Sequence, residues 1–301
     1  MPSFQSYFLK KGIKIATNRL KGLDEKGMDE RRQMLESAAR FWVKLPKNCR
    51  VESFLLEGMY AEWISNDQTA TDKVILYLHG GAYEYCSANT HRGLAARIME
   101  ETGIKVLLPE YRLAPEFPFP AAIEDTVRVY HWLLNQGYDS KNIIFAGDSS
   151  GGGLSVTTTL LLRDQNEPLP AAVVCLSPWV DLTSSGESYQ KNQDEDPYLR
   201  VKGVREAALL YAGGEPLDHR LISPVFDEFT GFPPLFIQVG SCEILLSDAE
   251  MLAQQARLSG VKVSFKVWQG MWHVWQISGK LPEAKKAIKE IGAFIRQRIE
   301  Y

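Results

Sequence analysis

Long apolar runs, paired cysteines and a surplus of charge of either sign are all missing from this chain of 301 residues. No segment approaches the roughly 18 to 20 consecutive apolar residues of a membrane-spanning helix. The opening stretch MPSFQSYFLKKGIKIATNRLKG lacks both an apolar run of about 7 residues and an A-x-A cleavage signal, so no secretory leader is read there and a cytoplasmic location is expected. Cys49, Cys86, Cys175 and Cys242 lie far apart without C-x-x-C spacing, which excludes a zinc framework and a dithiol redox motif and fits reduced thiols. With 34 Lys and Arg against 37 Asp and Glu, the net charge of −3 leaves no electrostatic footprint for a nucleic-acid partner. No metal-ligand cluster, nucleotide loop or cofactor motif is visible, so neither metal nor cofactor is expected.

What is present is an ordinary globular composition, 45% hydrophobic and 24% charged, in a chain long enough for two domains or one large α/β unit. Two helical segments, about Phe4 to Leu20 and Met28 to Lys44, are separated by Gly22 and Gly27. From Val51 onward eight short apolar runs read as strands: VESFLL, MYAEWI, KVILYLH, IKVLLPEY, NIIFAGD, AAVVCLSP, PLFIQVG and VKVSFKVW. Helix-period stretches lie between most of the later ones, around His91 to Glu101, Ala121 to Asn135, Leu154 to Asp164, Ser247 to Leu258 and Glu283 to Arg298. That alternation predicts crossover units and a mostly parallel sheet with both faces covered. Asp181 to Ser223 interrupts it with a polar, acidic segment and one apolar helix. The expected division is therefore N-terminal helices over 1–48, a core over 49–182 and 223–301, and an insertion over 183–222 that packs with the N-terminal helices as a lid.

Gly147, Asp148, Ser149, Ser150 and Gly151 form a G-x-S-x-G between the strand IIFAG and an apolar helix. Such a sharp strand-to-helix turn needs small neighbours and leaves the central hydroxyl exposed at a helix N-terminus. A serine is a poor nucleophile without a base. Of five histidines, His79 and His91 precede Ser149, His131 is mid-helix beside Trp132, and His219 is in the insertion. His273, in a glycine loop after VSFKVW, is where the edge of a parallel sheet delivers an imidazole. A carboxylate must then hold that imidazole's tautomer. Glu243 and Asp248 both follow PLFIQVG; Glu243 is nearer the strand end and is preferred, while Asp248 reads as a helix cap or dipole partner. After KVILYLH, His79, Gly80, Gly81 and Ala82 let backbone N–H groups approach a developing oxyanion, together with the amide of Ser150. His79 is expected to orient that loop rather than act as a base.

These stretches resemble the hormone-sensitive-lipase-like branch of the α/β-hydrolases, the bacterial family IV esterases. The resemblance rests on LHGGAY (Leu78 to Tyr83), PEYRLAPEFPFPA (Pro109 to Ala121), FAGDSSGGG (Phe145 to Gly153), LSPWVDL (Leu176 to Leu182), the Glu243 segment and GMWH (Gly270 to His273), in the family's order. It implies an α/β-hydrolase fold with a helical cap. It also implies Ser149 as nucleophile, His273 as base, Glu243 as acid, and an oxyanion hole from the Gly80–Gly81–Ala82 loop and Ser150. The chain departs from the family pattern at Ala82, where a third glycine is usual, at Glu243, where aspartate is usual, and at Glu110, where aspartate is common.

The expected activity is hydrolysis of short-chain carboxylic esters, acetate to roughly hexanoate, through an acyl-enzyme. Deacetylation of a particular small molecule is the variant, and a non-catalytic receptor on the same scaffold is disfavoured by the presence of His273. Tyr83, Tyr85, Trp179 and the tryptophans around His273 are candidates for an apolar pocket. The basic N-terminal stretch, Lys10, Lys11, Lys14, Arg19 and Lys21, reads as the solvated face of a cap helix, and membrane association is not expected. A homodimer is in keeping with the family.

Overall fold

The computed structural model describes residues 2–19 and 27–299. Leu20, Lys21 and Gly22, at the end of the first expected helix, lie outside the described residues. Two helices, α1 (Phe4–Arg19) and α2 (Met28–Trp42), precede β1 (Arg50–Leu56), β2 (Met59–Ser65) and β3 (Ala70–Leu78). There follow α3 (Ala88–Thr102), β4 (Ile104–Pro109), α4 (Ala121–Asn135), β5 (Ile143–Asp148), α5 (Ser150–Asp164) and β6 (Ala172–Leu176). The insertion carries α6 (Ser188–Lys191) and α7 (Val201–Ala212), and the chain closes with β7 (Leu235–Gly240), α8 (Leu246–Leu258), β8 (Val263–Trp268) and α9 (Pro282–Arg296).

The eight strands form one sheet in the order β1-β2-β4-β3-β5-β6-β7-β8. The pairings of β2 with β1 and β4 are antiparallel, and all others are parallel. The near-continuous apolar runs follow from burial on both faces. Along β3, Val74, Leu76 and Leu78 enter one core cluster while Ile75 and Tyr77 enter the other. Phe145 and Ile144 of β5 divide in the same way. Helices α4, α5 and α8 cover the first face, and α3 and α9 cover the second.

All eight expected strands are present, each within a few residues of its apolar run. The short helix α6 has no counterpart in the sequence reading, because the four residues of SYQK offer no helical period. No helix among the described residues is long and apolar enough to cross a membrane. Helix α1 lies against the insertion: Lys10 pairs with Glu195 at 2.8 Å and Thr17 Oγ1 donates to the carbonyl of Pro197 at 2.7 Å.

Candidate active site

Parallel strands place the chemistry at their C-terminal ends. Ser149 follows β5 immediately and begins α5 with φ 52° and ψ −123°, a conformation that costs a non-glycine residue of order 1–3 kcal/mol. Backbone contacts hold it there. Its N–H donates to Leu176 O at 2.9 Å, and its carbonyl accepts from Gly153 N and Trp179 N. The turn closes only because Gly151 has no side chain, since a Cβ there would lie 2.0 Å from the carbonyl of Leu78. Ser149 is 8% exposed, sheltered yet reachable.

His273 sits in the loop after β8, and its Nδ1 is 2.9 Å from Glu243 Oε2. Burial disfavours an imidazolium there, but the hydrogen bond and charge of Glu243 outweigh it and raise the His273 pKa above its ordinary 6.5. Asp148, the residue before Ser149, is within Coulomb range of the same imidazole. Glu243 is fully buried, and its other oxygen, Oε1, accepts from Ser177 Oγ at 2.8 Å and Gly240 N at 2.5 Å.

Asp248, the alternative acid, faces elsewhere. Its Oδ2 accepts the amides of Val180 and Asp181 at 3.1 and 2.9 Å, so it binds the segment after β6 to α8. Burial and the neighbouring Asp181 push its carboxyl well above the usual range. The folded protein therefore keeps a proton that the unfolded chain has lost above about pH 4, and native stability declines as pH rises from there toward the folded pKa. Asp248→Asn keeps an acceptor and removes that linkage. Its melting temperature is expected to exceed wild type by about 2–4 °C near neutrality, with a smaller gain near pH 5. Calorimetry at several pH values checks this.

The loop after β3 runs through three consecutive residues of positive φ, Gly81 (126°), Ala82 (57°) and Tyr83 (62°). For Ala82 the left-handed region costs roughly 1–2 kcal/mol, a cost that a glycine at this position would not carry. Among the described residues, the N–H groups of Gly81, Ala82 and Ser150 have no hydrogen-bond partner within the protein. Gly80 corrects the expectation. Its amide donates to Asp148 Oδ1 at 3.3 Å, so it anchors the loop instead of facing an oxyanion.

Behind this loop lies a buried polar network that the sequence reading did not foresee. Asp148 Oδ1 also accepts from Tyr77 Oη at 2.7 Å, and its Oδ2 lies 3.1 Å from His91 Nε2. Burial opposes both charges, yet mutual attraction raises the His91 pKa and lowers that of Asp148, which describes an ion pair. His79, next to it, is lowered to about 4 by burial and by His91. It is therefore neutral at ordinary pH, stacked on Tyr111 with ring centroids 4.4 Å apart, its Nδ1 2.8 Å from Gly80 O. The only sequence signals for this network were Tyr77 and Asp148 in the apolar runs VILYL and IIFAGD, since His91 stands in a helix with many other polar residues. His131 pairs with Glu167, and His219 packs edge-on against Phe119.

Of the aromatic candidates, Tyr83 stacks on Tyr211 of α7 with centroids 3.7 Å apart and lies near Trp179, joining the loop to the insertion. Trp268, Trp272 and Trp275 instead pack with Met271 and Leu281 in a separate core cluster. They support the His273 loop from within.

Residues 75–277 match the α/β-hydrolase fold family. An acetyl-hydrolase of Streptomyces hygroscopicus is 43% identical over 237 residues, covering 78% of this chain and 79% of its own. An esterase of Acinetobacter venetianus is 37% identical over 266 residues, covering 87% of each. A solved esterase of the bacterial hormone-sensitive lipase family superposes with a TM-score of 0.94 at 41% identity over the whole of both chains. The chain belongs to the α/β-hydrolase family, in its hormone-sensitive-lipase-like branch, and is a carboxylesterase.

Proposed function

We propose that this esterase hydrolyses short-chain carboxylic esters through Ser149, His273 and Glu243. The observation that carries the reading is an imidazole whose Nδ1 lies 2.9 Å from a buried carboxylate and which feels the charge of Asp148, the residue before the strained Ser149 turn. Ser149 Oγ attacks the ester carbon and passes its proton to His273 Nε2, while Glu243 stabilises the resulting imidazolium. The oxyanion accepts from the amides of Gly81, Ala82 and Ser150. His273 then protonates the departing alkoxide, and water clears the acyl group by the same steps in reverse.

The preference for short acyl groups is supported by the Tyr83–Tyr211 stack, which fills space between the oxyanion loop and α7. The contacts of α1 with residues 195–197 support a cap made of the N-terminal helices and the insertion. The name of the Streptomyces hygroscopicus relative, an acetyl-hydrolase, supports acetyl esters as the favoured end of the series. Four free thiols fit the cytoplasmic location proposed with this reading. For p-nitrophenyl esters from acetyl to palmitoyl, kcat/KM is expected to peak between acetate and hexanoate and to fall steeply beyond. A maximum at decanoate or longer contradicts the short-chain assignment.

A further inference from the structure

A carboxylate that serves a histidine needs its second oxygen held as firmly as the first. Glu243 makes this demand more severe than aspartate would, because its extra methylene adds a rotatable bond that must be frozen. Gly240 supplies one donor to Oε1 from the backbone. The other is Ser177, the residue directly after β6, whose side chain is fully buried.

Ser177 Oγ makes two contacts that tie separate loops together. It lies 2.8 Å from Glu243 Oε1 and 3.2 Å from the amide nitrogen of Val274, the residue following His273. An amide N–H can only donate and an ionised carboxylate can only accept, so the hydroxyl proton is committed to Glu243 and the lone pair to Val274. Ser177 itself is pinned by its N–H, which donates to Gln238 O at 2.7 Å. Both residues at this junction occupy the left-handed region, Ser177 at φ 49° and the β-branched Val274 at φ 47°. Such conformations persist where surrounding contacts over-determine them, and they cluster at functional sites.

We propose that Ser177 is a positioning residue for the triad: one hydroxyl fixes both the rotation of Glu243 and the backbone of the His273 loop, and so aims His273 at Ser149. This inference rests on the catalytic reading given above. The hydroxyl touches neither substrate nor reacting atoms and acts through Glu243 and Val274. Because it donates to the carboxylate, it stabilises Glu243 most when the imidazole is neutral and the negative charge is unbalanced. Removing it raises the apparent pKa of the His273–Glu243 pair, with Asp148 and Asp196, the other acids facing His273, unchanged.

The test is Ser177→Gly together with Ser177→Ala, with Ser149→Ala measured alongside. Glycine removes the hydroxyl and also relieves the left-handed strain, so it keeps the test intact if the alanine variant fails to fold. The expected result for Ser177→Gly is a kcat lowered roughly 10- to 100-fold, the worth of a hydrogen bond to a charged group, with KM unchanged. The acid limb of its kcat/KM profile is expected to move to higher pH, a change that loss of folded protein would not produce. Wild-type kcat with an unmoved limb in Ser177→Gly, while Ser149→Ala is inactive, overturns the role of Ser177. Turnover retained by Ser149→Ala overturns the catalytic reading instead.

Discussion

Ser149→Ala is expected to lower kcat on p-nitrophenyl butyrate by about a millionfold, the cost of losing a triad nucleophile. The substitution removes one oxygen and leaves the turn intact, because its cost at φ 52° is shared by alanine and serine. The amides of Gly81, Ala82 and Ser150 remain, so any residual rate reflects binding and oxyanion stabilisation alone, about 10³- to 10⁴-fold over water. Steady-state assays on freshly purified variant, with circular dichroism to show that it is folded, make the comparison. A rate within tenfold of wild type removes Ser149 from the mechanism.

Glu243→Gln is expected to lower kcat by about 10⁴-fold with little change in KM. The size of the effect follows from which way the new amide must face. Ser177 Oγ and Gly240 N both donate to the position of Oε1, so they select the glutamine oxygen there. The amide NH₂ is thereby turned toward His273 Nδ1, which lies 2.9 Å from the other oxygen in the wild type. An NH₂ at that place stabilises the tautomer with its proton on Nε2, which cannot accept from Ser149. Charge loss and wrong tautomer act together. Full activity in this variant means that His273 takes its orientation from another group.

The sheet was legible because strands buried on both faces leave unbroken apolar runs bounded by glycine and proline, as in IIFAGD before Ser149. Helices such as α4 carried their own period. The turn around Ser149 was legible for a steric reason: a close approach of backbone to backbone admits only glycine at 151, and that requirement is written in the sequence. The choice between Glu243 and Asp248 was not, since both follow β7 and only tertiary packing sends Asp248 to the amides of Val180 and Asp181. Nor could the sequence separate Gly80 from Gly81, because the partner that claims the Gly80 amide, Asp148, is 68 residues away. Ser177 went unremarked, and His91 was weighed only as a base, for the same reason, as each acts through a partner remote in the chain. The tryptophans beside His273 suggested a pocket and proved to be core, since size and apolarity alone do not distinguish a wall from a filling.

The central claim is that a single hydroxyl, Ser149 Oγ, attacks the substrate, and active-site titration with diethyl p-nitrophenyl phosphate tests it most directly. Attack at phosphorus forms a Ser149 O–P bond and expels p-nitrophenolate, with the serine proton taken by His273. The predicted result is one p-nitrophenolate released per chain, loss of esterase activity in step with that release, and a diethylphosphoryl group on the peptide containing Ser149. A phosphoryl group on any other residue, or full inactivation with Ser149 unmodified, would contradict the account.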